Sequence, residues 1–222
     1  MLKHLFLLLL IAVNITVFSQ TDSHNKLIDL LSHPEHSKGE MAGLMTESSF
    51  LLQTRLTLTN QKIKQDYVGT DGWARFVVYK DHKSKRLYTD WMRALAENDY
   101  VVKSLVNALE ADTEYNYQLQ YGCDTTNFRV GDLCKFRTLP GKDISSDVSF
   151  IVVTGMNYTK FYNWPDRKYL GADKNLGYPS AVSVLNLKPN FFVGTGDNVY
   201  YDSKYMPIGP AIDEKGMRNY YH

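Results

Sequence analysis

The run Gly196-Asp197-Asn198-Val199-Tyr200-Tyr201-Asp202 gathers side-chain oxygens of the kinds that hold metal ions. A carboxylate in the turn just after a buried strand can bridge two hard cations, and a phenolate three residues later suits ferric iron or completes another metal shell. Two metals so held can clamp a phosphoryl group and activate a water molecule against it. The competing structural role is a plain turn, with Asp197 capping the element that follows and the tyrosines packing.

Such a turn needs a strand to deliver it. Asn190 to Asp197 reads as a buried strand that ends at the carboxylate, and Val148 to Gly155 as a continuous apolar strand covered on both faces. Between them, Tyr178 to Leu187 spaces Ala181, Val184 and Leu185 as a helix does, with Pro179 near its start. Strand, helix, strand predicts a right-handed βαβ unit with a parallel sheet, whose ligands sit beyond the carboxyl ends of the strands. Gly155-Met156-Asn157-Tyr158 and Gly196 to Tyr201 both lie there. Two adjacent strands and one helix leave open sheet edges and an uncovered face, so a fragment of a larger α/β domain is expected.

Ahead of it, residues 39–140 read as a β-sandwich. Phe50 to Leu56 and Ala74 to Tyr79 are strand-like runs separated by turns containing Gly, Asp and Asn. The 16 Tyr and 10 Phe favour half-buried sheet faces. After a turn around Asp112, the residues Tyr115, Tyr117, Leu119 and Tyr121 alternate strictly, which buries one face of that strand. The stretch resembles the tyrosine corner of fibronectin type III-like sandwiches, which gives Tyr115 a structural role. Lys135 to Leu139 closes the sandwich, and Pro140-Gly141 leads into a second domain, residues 141–222.

Residues 1–20 have the layout of a signal peptide: a basic start, Met1 to His4, an apolar run from Leu5 to Val13 that fades to Phe18, and Ser19-Gln20. The uninterrupted apolar stretch is shorter than the ~20 residues of a membrane span, so none is expected once the signal is removed. The protein is expected to be secreted or periplasmic. Residues 21–38 form a polar leader with one short amphipathic piece, Leu27 to Leu31. In an oxidising compartment Cys123 and Cys134, eleven positions apart around Gly131-Asp132, are a disulfide candidate, with two reduced, buried thiols as the alternative.

A strand ending Gly-Asp-x-x-Tyr, preceded by one ending Thr154-Gly155-Met156-Asn157-Tyr158, a fibronectin-like sandwich and a signal peptide, resembles the alkaline phosphatase D (PhoD-like) branch of the metallophosphoesterases. The resemblance runs from about Gly39 onward. It implies an exported hydrolase of phosphate mono- or diesters with calcium and iron as cofactors, Asp197 as a metal ligand and Tyr200 as the ligand of the ferric ion. The first strand departs from the family pattern. Where relatives carry a metal-binding Cys, or an Asp with a nearby His, this chain has Gly155 and Met156. Asn157 is left as the lesser candidate, offering a neutral carbonyl oxygen, with turn formation as its other role. The family's remaining Asn, Asp and His ligands lie further along its chain than His222, so the resemblance implies the amino-terminal part of an enzyme, inactive alone.

Other residues carry less. His24, His33 and His36 read as solvated leader histidines, and His82, among Lys80, Lys83, Lys85 and Arg86, as part of a charged hairpin turn. Trp73, Trp91 and Trp164 suit either a carbohydrate platform or, more commonly, a core. Lys168, Asp173 and Lys174 can line the mouth of the cleft. Lys+Arg 25 against Asp+Glu 24 provides no broad attraction for nucleic acid. There is no visible Ser/His/Asp triad, Walker loop or zinc Cys cluster, and Gly194-Thr195-Gly196 is too short for a dinucleotide fingerprint. The competing class is a secreted binding or adhesion module whose sandwich engages glycan or protein; a related sulfate esterase is the third reading.

Overall fold

A computed structural model describes residues 33–63, 66–157, 161, 169–172, 174, 178–202 and 209–221. The signal peptide and the amphipathic piece of the leader lie outside these residues, as do His24, Tyr158, Trp164, Lys168 and Asp173. The chain divides into two compact units, one running to Lys62 and from Tyr67 to Leu139, the other comprising Ile63–Asp66 and the chain from Pro140 onward.

The first unit is a β-sandwich. Strands β1 (Glu40–Gly43), β2 (Phe50–Arg55) and β6 (Val101–Val106) make one antiparallel sheet. In the other, β3 (Gly72–Tyr79) pairs with β7 (Glu114–Gly122) from Trp73 to Tyr79. The outer edge of β3 is shared by β4 (Leu87–Tyr88) and β5 (Met92–Ala94), and that of β7 by β8 (Phe128–Val130) and β9 (Cys134–Arg137). Three strands over four, with the outer two each interrupted, is the fibronectin type III-like plan expected from the sequence. Period-two alternation builds its core. Phe50 and Leu52 of β2, Ala74, Phe76 and Val78 of β3, and Tyr115, Tyr117, Leu119 and Tyr121 of β7 are all buried in one cluster with Phe136. Phe136 stacks against both Phe50 and Tyr115.

The corner before β7 is closed by Tyr115. The Glu110 N–H donates to its hydroxyl oxygen at 2.9 Å, and Thr138, 2% exposed, donates to the Glu110 carbonyl at 2.6 Å. Replacing Tyr115 with Phe keeps the stacked ring and removes the acceptor. A loss of about 1 kcal/mol is expected, read as a melting temperature lower by roughly 4–8 °C.

One charge inside the sandwich is fully engaged. Arg55, 8% exposed, donates to the Tyr67 carbonyl at 2.6 Å, the Asp99 carbonyl at 3.0 Å and the Asp99 carboxylate at 3.1 Å. That is how a guanidinium is tolerated there.

Four features of this unit differ from the sequence reading. The sandwich begins before residue 39: Pro34 is buried, Glu35 forms a bridge with Thr57, and its carboxylate lies 2.6 Å from Arg129. His36 is accordingly packed instead of solvated, its ring edge-on to Tyr121 and Nδ1 3.2 Å from the Glu40 carboxylate. Trp73 and Trp91 lie on the solvent face of the β3 sheet, because the phase that buries Ala74 and Phe76 turns Trp73 outward.

The fourth is the disulfide. Cys123 and Cys134 are both free thiols. The register places Cys134 opposite Tyr117, whereas Cys123 follows the far end of β7 at Gly122. Six residues of extended chain, about 20 Å, separate the two positions, far beyond disulfide reach. Burial pushes the Cys134 thiol up, while Cys123 is exposed. Iodoacetamide without reductant is therefore expected to label both cysteines, Cys123 first; a mass showing no addition until reductant is supplied contradicts this register.

In the second unit, β10 (Phe150–Val153) and β11 (Phe191–Gly194) are parallel, and α1 (Pro179–Leu187) lies between them in sequence. Pro179 opens α1 with a pre-set φ, and Lys188 closes it in the left-handed region, its N–H donating to the Val184 carbonyl. A short α2 (Glu214–Tyr221) follows. The sequence predicts strands covered on both faces, yet Phe150, Val152 and Phe192 are about half exposed. The described residues supply one two-stranded layer, too little to bury both faces of either strand. No described helix is long and apolar enough to cross a membrane.

Candidate metal centre

Parallel pairing of Phe150 with Phe191 through Val153 with Gly194 brings the carboxyl ends of β10 and β11 side by side. Threonines lace the two exits together. Thr195 donates to the Val153 carbonyl through both N–H, at 3.0 Å, and hydroxyl, at 3.2 Å, and the Thr154 hydroxyl donates to the Gly196 carbonyl at 3.1 Å. At the opposite end, Asn190 and Ser149 exchange bonds that pin the register.

Both chains leave their strands through left-handed backbone, at Gly155 (φ +70) on one side and Gly196 (φ +125) with Asp197 (φ +50) on the other. Asp is among the few side-chain-bearing residues that accept this region. Gly194 has a separate reason to be glycine: a Cβ there would stand 3.2 Å from Asn198 Oδ1, so the bare strand end lets that amide close over it.

The left-handed turn aims Asp197 at Tyr200, whose hydroxyl donates to Oδ2 at 3.3 Å. Desolvation, the Asp197 charge and this hydrogen bond together hold the Tyr200 phenol above its ordinary range. Tyr200 also reaches the first strand's exit, with a Cβ at Gly155 lying 3.9 Å from its hydroxyl. At that exit Gly155 offers the phenol no side chain.

The structure therefore brings together Asp197 and Tyr200. The Asn157 backbone belongs to the turn: its N–H donates to the Gly155 carbonyl at 2.8 Å, and its carbonyl accepts from the Phe161 N–H at 3.1 Å. Tyr201, to which the sequence assigns no ligand role, packs its ring near Tyr220 and Tyr221 of α2. Thr154, Thr195 and Asn198 escape sequence reasoning because their roles depend on the neighbouring strand; the Thr-Gly pair closing each strand is the available signal.

A carboxylate and a phenol facing one another are hard oxygen donors, and by chemistry they fit one side of a calcium or iron shell. They do not fill it. Among the described residues no group of three or more His, Cys, Asp or Glu is placed to hold a metal ion.

A sandwich followed by two parallel strands is an arrangement with a solved counterpart. A structure of PhoD is similar to the chain. It covers 86% of this chain and 35% of its own, at 20% identity and a TM-score of 0.58. The chain thus spans about a third of the length of PhoD. A fibronectin type III domain derived from the human KIAA0970 protein covers 56% of this chain and 88% of its own, at 14% identity and a TM-score of 0.37. The sixth such domain of human fibronectin type III domain containing protein 3 covers 51% and 93%, at 11% identity and a TM-score of 0.34. No family model matches the chain, and neither does any curated protein. At 20% identity the likeness to PhoD establishes the fold.

Proposed function

We propose that the chain is the amino-terminal part of a longer, exported, metal-dependent phosphoesterase of the PhoD type, acting on phosphate mono- or diesters outside the cytoplasm. The observation that carries the reading is the Asp197–Tyr200 pair at the carboxyl ends of two parallel strands, in a chain whose fold is similar to PhoD over 86% of its length. Ligands of open parallel sheets sit at this end.

In this reading Asp197 and Tyr200 hold one side of a centre of hard cations, calcium and iron, with the remaining donors supplied by chain outside the described residues. Bound there, the metals would provide the positive charge that clamps the ester and a water acidic enough to attack it. The protein's own share is positional. The threonine ties fix the two exits relative to each other, the left-handed backbone at Asp197 sets the carboxylate's direction, and the Asp197–Tyr200 hydrogen bond orients the phenol.

The test is hydrolysis of p-nitrophenyl phosphate and bis-p-nitrophenyl phosphate by the protein made from the complete reading frame. Turnover that disappears with chelator and returns with added calcium and iron is expected, and residues 1–222 alone are expected to be inactive. A complete protein that holds no metal and cleaves neither ester overturns the reading; cleavage of p-nitrophenyl sulfate in their place assigns it to the related sulfate esterases.

A further inference from the structure

The outer face of the sheet containing β3 is built unlike an ordinary solvated surface. The Arg75 guanidinium lies between two rings, 4.7 Å from the Tyr88 centroid and 4.6 Å from that of Trp91. Arg86 lies 4.9 Å over Tyr79, and Arg93 is 5.8 Å from Trp73. Along β3 the outward positions 73, 75 and 79 are spaced by about 7 and 14 Å at the rise of an extended strand, so the three cations form a line. A guanidinium stacked on a ring uses no N–H group in that contact, so its in-plane donors remain for the fork that matches a carboxylate or sulfate.

Charge on this face is paired at its margins and left uncompensated at Arg75 and Arg86. Arg93 meets Asp71 at 3.4 Å, with both side chains more than half exposed, and Lys135 and Arg137 at the β9 side meet Glu114 and Asp112. Arg75 and Arg86 have no carboxylate partner among the described residues. The Arg75 Nε donates to Gln120 at 2.7 Å, and Gln118 accepts from the Tyr79 hydroxyl at 3.2 Å, which sets a row of side-chain amides beside the arginines.

We propose that this face binds an acidic polysaccharide, with Arg75, Arg86 and Arg93 taking its anionic groups and the Gln120 amide its hydroxyls. Rings already covered by guanidinium groups offer little for stacking nucleobases, and what the face presents is a line of N–H donors suited to oxygens. The net charge of +1 removes general attraction, so recognition rests on this local array. The array belongs to the sandwich and shares no residue with the Asp197 turn, and its test is independent of the phosphoesterase reading.

The test is titration of the full chain with a heparin dodecasaccharide at low and physiological ionic strength, beside a neutral dextran oligomer and an oligothymidylate of matched charge. Heparin is expected to bind, more weakly as salt rises. Binding is expected to fall at least about tenfold in R75Q/R86Q and to be unchanged in the charge-matched K142Q/K188Q. If R75Q disturbs folding through loss of the Gln120 bond, as seen in the melting curve, R86Q alone carries the test, its side chain being exposed. Absence of heparin binding, an equal loss in K142Q/K188Q, or equally tight binding of dextran or oligothymidylate overturns the proposal.

Discussion

Phe50→Ala is expected to destabilise the sandwich by about 3–5 kcal/mol, enough to unfold much of the population of a marginal domain. Phe50 is fully buried at the start of β2, stacked on Phe136 and edge-on to Tyr117. Phe50 belongs to one sheet and both partners to the other, so a cavity there is lined by elements that cannot collapse toward one another without breaking their ladders. Urea denaturation measures the cost. Leu105→Ala is the control: Leu105 is paired with Leu51 in the same β2–β6 ladder but is 58% exposed, and its loss is expected to stay within about 0.5 kcal/mol. Equal effects at the two positions contradict the assignment of inner and outer faces.

Asp197→Asn is expected to cost the complete protein at least about a hundredfold in phosphoesterase turnover, the upper range seen when even a residue supporting a metal ligand is changed. The substitution is nearly isosteric, and asparagine accepts the left-handed φ of +50 that this position requires. It can still accept the Tyr200 hydrogen bond. It cannot carry the negative charge that a shared carboxylate brings to hard cations. Bound calcium and iron should therefore fall together with turnover, while the thermal melt stays in place. Undiminished metal content and activity in this variant remove Asp197 from the centre.

Much of this is legible in the sequence, for reasons that differ by element. Tyr115, Tyr117, Leu119 and Tyr121 announce β7 because sustained period-two alternation of large apolar rings fits a strand with one buried face and does not fit the period of a helix. The Tyr115 corner is expected from the resemblance to fibronectin type III-like sandwiches, and in the structure the Tyr115 hydroxyl accepts the Glu110 N–H. Asp197 and Tyr200 are legible as a pair because they stand three positions apart in one turn, so their proximity needs no tertiary information.

What escapes the sequence depends on register or on a neighbouring strand. Cys123 and Cys134 have the spacing of hairpin partners, but β8 and β9 divide the edge of β7 between them, and Cys134 is thereby carried down to Tyr117. Trp73 suits a core by residue type, although its phase against Ala74, Phe76 and Val78 already turns it outward. The exposure of Phe150 and Phe192 has no mark in composition, since an apolar strand has the same residues whether or not layers cover it.

The left-handed backbone at Asp197 has a consequence for engineering. The region is one that glycine and asparagine enter at least as readily as aspartate, and neither would leave a carboxylate charge against the Tyr200 hydroxyl. Optimising this unit for thermostability or expression yield would thus favour replacing the one acidic side chain in the turn that touches Tyr200. Libraries sorted on folding alone would enrich well-behaved proteins that have lost the proposed metal ligand, and a screen on this scaffold needs a metal-loading or turnover readout alongside the stability one.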